Sequence, residues 1–175
     1  MAKSTFSGPV RSLSGFISSG NASVVSLTAD TTLTVDAHAG KILLCNDADG
    51  KFTLPAINTN ADSASAGPGS DPNNLNNIGA SFYFFFETAA TDVDIKTTGA
   101  GDLFTGAILI GVNDGAKKAF VPNGSSNDVM TFNGGTKGGA VGSVVKVTAI
   151  DTNAYLVHDS LMIGSSTIET PFADA

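Results

Sequence analysis

Apolar and polar residues alternate with period two along much of this chain, in short runs set apart by Gly, Asn, Asp and Ser. "DVDIK" is the cleanest case, with Val93 and Ile95 inward and Asp92, Asp94 and Lys96 outward. "TTLTVD" places Leu33 and Val35 inward and the threonines and Asp36 outward. "KILLC" and "KFTL" flank "NDADG", a turn-rich connector in which Gly50 is able to take a positive φ. "LFTGAILIG" reads as a buried strand, and "GVNDGAKKAFV" as a turn at Asn113–Gly115 followed by another strand. "DVMTFN", "SVVKVTAI" and "AYLVH" complete the series, the last two joined by the tight turn "DTN". No long segment keeps a helical period. Short strands at about ten-residue spacing predict an all-β fold, an antiparallel sandwich or barrel.

One run breaks the alternation. "SFYFFFET", residues 81–88, holds five consecutive aromatic side chains. Aromatic content suits a strand, in which Phe82, Phe84 and Phe86 line one face and Tyr83 and Phe85 the other. Both faces are then apolar. Such a strand lies between two packed layers, or faces its own core on one side and another subunit on the other. We assign Phe82, Phe84 and Phe86 to the subunit core and Tyr83 or Phe85 to a partner, although the reverse satisfies the same pattern. A homo-oligomer is the expected assembly.

Two segments carry no strand signal. Residues 1–20 are rich in Ser and Gly, with isolated apolar residues at Phe6, Val10, Leu13, Phe16 and Ile17. Burying those side chains gains about 1.5–3 kcal/mol each, while fixing backbone costs about 1–2 kcal/mol per residue. Such an arm needs hydrogen bonds from something else to become ordered. Residues 56–80 are long, polar and punctuated by Pro68 and Pro72, which predicts a surface contact loop; a helical turn at "SDPNNL" could be capped there by Ser70 or Asp71. The expected organisation is an arm at 1–20, a β domain at 21–165 with its loop at 56–80, and a tail at 166–175.

The chain has 175 residues, which fits one domain with terminal extensions. A chain of this size buries about 70% of its unfolded surface and needs neither disulfides nor a metal to fold. Its single cysteine, Cys45, is expected to be a buried structural thiol. No apolar stretch approaches the roughly 20 residues of a membrane span, and "MAKSTFSGPVRSLSGF" lacks the apolar core of a signal peptide. A net charge of −7 without a basic cluster argues against nucleic acid as a partner. The charge is uneven: residues 1–29 hold Lys3 and Arg11 and no acid, ahead of an acidic body.

Enzyme signatures fail on spacing. His158, Asp159 and Ser160 are strand neighbours and should point to alternate faces, so adjacency alone makes no triad; His38 sits in a connector. The pairs Asp47/Asp49 and Asp92/Asp94 lack the further oxygen ligands of a calcium loop. "GGTKGG" lacks the phosphate-loop spacing, and "GAGDLFTG" the dinucleotide pattern. No cofactor and no catalytic residue is expected.

Three stretches carry a resemblance: "TFSGPVRSLSGF" at the start, "LTVDAHAGKILLCNDADGKFTLPA" in the middle, and "VKVTAIDTNAYLVHDSLMIGSSTIETPF" at the end. Together the chain resembles small virion structural proteins of tailed bacteriophages, particularly capsid decoration (cement) proteins and tail-fibre-type β domains. Their closing hairpin often carries Trp where this chain has Tyr155. The resemblance implies a non-enzymatic homotrimer made in the bacterial host cytoplasm and displayed on the outer capsid surface of the virion, with the major capsid protein as partner. Rival expectations are a receptor-binding tip of a tail fibre and a lectin-like module, the latter disfavoured by the lack of Trp. On the capsid reading the arm is the anchor: Phe6, Val10, Leu13 and Phe16 dock, Pro9 restricts the backbone, and Arg11 pairs with a carboxylate.

Overall fold

The structure is a computed structural model and describes residues 23–59, 76–99, 101–112, 115, 117–165 and 167–174. The expected arm residues Phe6, Pro9, Val10, Arg11, Leu13 and Phe16, and the middle of the 56–80 loop, lie outside the described residues. The elements run β1 (Val24–Leu27), β2 (Thr31–Thr32), α1 (Val35–His38), β3 (Ile42–Cys45), β4 (Lys51–Thr53), β5 (Ser81–Phe86) and β6 (Val93–Lys96). They continue with β7 (Leu103–Gly106), β8 (Ile108–Val112), β9 (Lys117–Phe120), β10 (Val129–Phe132), β11 (Val144–Asp151), β12 (Ala154–Gly164) and β13 (Phe172–Ala173). The protein is all-β, and its helical content among the described residues is the single turn α1.

Two sheets form. The larger has the order β1-β3-β5-β11-β12-β8-β9, with β7 also paired to β12, and the smaller has the order β13-β10-β6-β4-β2. The expected antiparallel pairing is corrected here, because both sheets are mixed. β1, β3 and β5 run parallel to one another, as do β2, β4 and β6, and β12 runs parallel to β7 and β8. The cause is a zigzag. From β1 to β6 each strand passes to the other sheet and the next one returns, so neighbours within a sheet point the same way. "NDADG" therefore links two sheets instead of closing a hairpin. Two hairpins follow turns read from the sequence: β11–β12, antiparallel through Thr152 and Asn153, and β8–β9, antiparallel across the segment that holds Gly115.

One core lies between the sheets. Phe84 of the larger sheet stacks on Phe52 of the smaller with centroids 6.2 Å apart, Phe86 meets Phe132 edge-on at 5.3 Å, and Phe104 meets Phe172 at 6.5 Å. Phe172 lies in β13, so residues expected to form a tail supply an edge strand and a core ring. Gly50 does not take a positive φ. It is buried, and a Cβ there would stand 2.7 Å from the Phe52 ring, so the position excludes a side chain for space.

Two local expectations fail for local reasons. Leu33 is buried but Val35 is 39% exposed, because Thr34 caps α1, its hydroxyl accepting the Ala37 N–H, and breaks the alternation. "LFTGAILIG" is two strands, interrupted after Gly106 at a φ of 96°. Both pair with the long β12, β7 along Ala154–Val157 and β8 along Met162–Gly164.

Candidate functional site: the outer face of the large sheet

The registers of the large sheet decide what its outer face presents. Ser26 pairs with Leu44, Leu44 with Phe85, Phe85 with Val144, and Val144 with Leu161. Ile110 and Met162 are a buried pair, so Leu109 and Leu161, each one residue earlier, share the outer face; Ala119 lies opposite Leu109. Beyond Ser26 at its β1 end, a row of apolar side chains thus crosses the sheet. The adjacent row runs Val24, Ile42, Tyr83, Lys146 and His158. Ile42 is 40% exposed, Leu109 41%, Leu161 53% and Ile163 39%. Phe82, Phe84 and Phe86 are fully buried on the inner face, while Tyr83 and Phe85 are half-buried at the centre of the outer one.

The outer face of the small sheet has the opposite character. The Lys51 ammonium sits between two carboxylates, 2.9 Å from Asp92 and 3.1 Å from Asp94, and Thr131 donates to Asp94 at 2.7 Å. Burial alone would lower the Lys51 pKa, but hydrogen bonds and charge from Asp92 and Asp94 outweigh it and raise it. The lysine occupies the place where a cation would have to bind, and no metal-ligating cluster occurs among the described residues.

A polar chain borders the apolar row. The Ser81 and Thr148 hydroxyls are 2.7 Å apart, Thr148 meets His158 Nε2 at 2.8 Å, and His158 Nδ1 lies 3.2 Å from Asp159, with Lys146 at 3.8 Å from the same carboxylate. Alternation forbade His158 and Asp159 to share a face, yet they do. β12 carries a bulge where its register against β11 shifts, and Asp159 takes a φ of 45° there, turning its carboxylate back onto the histidine. Ser160 closes the gap between β7 and β8, donating to the Ala107 carbonyl and accepting the Leu109 N–H. The order Thr148–His158–Asp159 follows that of a nucleophile, base and orienting acid. Thr148, however, shares its hydroxyl with Ser81 and sits mid-strand between β5 and β12, where ladder pairing occupies the amides an oxyanion would need. The chain's effect is to tie three strands together beside the apolar row.

The other groups of chemical interest are satisfied locally. His38 Nδ1 accepts the Thr34 N–H at 3.0 Å. In "GGTKGG" the Gly135 and Lys137 amides both donate to Asn133 Oδ1, which turns them away from any phosphate. At the base of the 56–80 loop, buried Asn77 donates to the Ala56 carbonyl and accepts the Asn58 N–H, clamping the two described ends together. The Tyr155 hydroxyl donates to the Pro55 carbonyl at 2.6 Å, and burial, helped by the Asp102 charge, pushes its pKa up.

Cys45 is fully buried, and desolvation pushes its thiol from 9.0 up to about 12. The raised value favours the native state's thiol form, so the stability this contributes is whole below pH 9.0 and declines as pH rises towards about 12. A thiol reagent at about pH 8 is expected to leave the native protein unmodified and to label it once denaturant is added. Labelling of the native protein at the unfolded rate would contradict this burial.

Comparison with known protein families, curated proteins and solved structures finds no match to this chain. Ile42, Leu44, Val144, Leu161 and Leu109 were not singled out from the sequence. The signal was present in "KILLC", apolar on both faces like "SFYFFF", but only strand pairing joins these residues into one surface.

Proposed function

We propose that this chain is a non-enzymatic phage virion structural protein that decorates and stabilises the outer capsid surface by binding the major capsid protein lattice. In this reading it is a homotrimer of β-sandwich subunits, each with an extended N-terminal arm. The observation that carries the reading is the division of the surface: one sheet turns a charged, internally paired face to water, and the other an apolar face studded with half-buried aromatic rings. Groups that could serve catalysis are engaged in local hydrogen bonds, which favours a building block over an enzyme. The resemblance of the chain's start, middle and end to decoration proteins supplies the virion context.

Deleting residues 2–20 tests the docking role given to the arm. The truncated protein is expected to fold and assemble but to lose cosedimentation with purified capsids. Equal capsid binding by the truncated and full-length chains would move the anchor to the body. Copy number in purified particles separates decoration, with many copies, from a fibre tip, with few.

A further inference from the structure

We infer that the apolar row on the outer face of the large sheet, centred on Phe85, Val144 and Leu161, is the surface through which one copy of this chain docks against another. The inference rests on the proposed reading for its oligomer and adds the face that builds it.

Extent, anatomy and charge support a second copy as the occupant. From Leu44 to Ala119 the apolar row crosses six strands, about 24 Å at about 4.8 Å per strand spacing, and a six-residue strand extends about 20 Å. The projected area is about 500 Å², and side-chain relief and the adjoining Ile42 and Tyr83 carry it towards the roughly 800 Å² per partner that stable interfaces bury. Aromatic side chains lie at its centre and the Lys146–His158–Asp159 cluster at its border, the arrangement of an apolar interface core with a polar rim.

Charge selects the partner. The whole chain carries −7, so two copies repel wherever acidic surfaces meet. The rows of the outer face carry Lys117, Lys146, Asp151 and Asp159 as their formal charges, which cancel, and Asp159 is already paired to Lys146. Contact through this face keeps the acidic surfaces apart. A basic partner would instead be drawn to the acidic surfaces, and would gain nothing electrostatically by covering this one.

The test is Leu161→Asp in the full-length chain, followed by sedimentation equilibrium at micromolar concentration. Leu161 is more than half exposed, so a carboxylate there leaves the subunit's core intact. The self-dissociation constant is expected to rise at least about 30-fold, the change carried by a hot-spot residue, with the far-ultraviolet circular dichroism of the native protein retained. Leu109→Asp, elsewhere on the same row, should act alike, and Thr53→Asp, on the outer face of the small sheet, should leave association unchanged. Wild-type protein that sediments as a monomer overturns the inference, as does Leu161→Asp protein that keeps the wild-type mass. Capsid cosedimentation, measured separately, distinguishes the two proposals. A monomer that still binds capsids overturns the interface alone. An oligomer that Leu161→Asp dissolves, but that never binds capsids, supports the interface and overturns decoration.

Discussion

Phe84→Ala is expected to destabilise the subunit by about 3–5 kcal/mol, read as a fall in the urea midpoint with an unchanged slope. Phe84 is fully buried, stacks on Phe52 across the core, and pairs with Leu43 on one side and Val145 on the other. Its neighbours are held in hydrogen-bonded strands of both sheets, so they cannot collapse into the space an alanine leaves. The cavity therefore persists, and its cost adds to the lost transfer energy of the ring. Phe85→Ala, one residue along and half-buried on the outer face, provides the contrast. It should cost the isolated subunit clearly less. Equal losses at the two positions would show that the strand does not separate an inner from an outer face.

The second large effect is expected at Gly106. A Cβ there would lie 2.2 Å from the Val157 carbonyl oxygen, and the backbone has a φ of 96°, outside the range side chains tolerate. Gly106→Ala must either open the β7–β12 pairing, where Gly106 stands opposite Val157, or shift the chain into another conformation. Backbone strain of about 1–3 kcal/mol and a steric cost of similar size together give about 2–6 kcal/mol. The Ala107 amide, which donates to the Val157 carbonyl at 3.2 Å, should lose hydrogen-exchange protection before the core strands do. A variant with the wild-type melting temperature and a protected Ala107 amide would refute the close approach.

Period-two alternation was sufficient to establish an all-β chain and to separate the faces of single strands. Val93 and Ile95 are buried, and the aromatic run 81–86 divides as a strand must, because side-chain direction is a property of the strand backbone and needs no partner. Where a side chain competes for the backbone, alternation loses: Thr34 caps a turn and puts Val35 outside, and the bulge at Asp159 turns two neighbours to one face. Strand order lay beyond the sequence. A connector such as "NDADG" has the same turn chemistry whether the chain folds back within its sheet or crosses about 10 Å to the facing one. The outer face of the large sheet depended on that choice entirely. Leu44, Phe85, Val144 and Leu161 come from four separate strands, two of the pairings between them antiparallel and one parallel, and only the tertiary register brings them into one row.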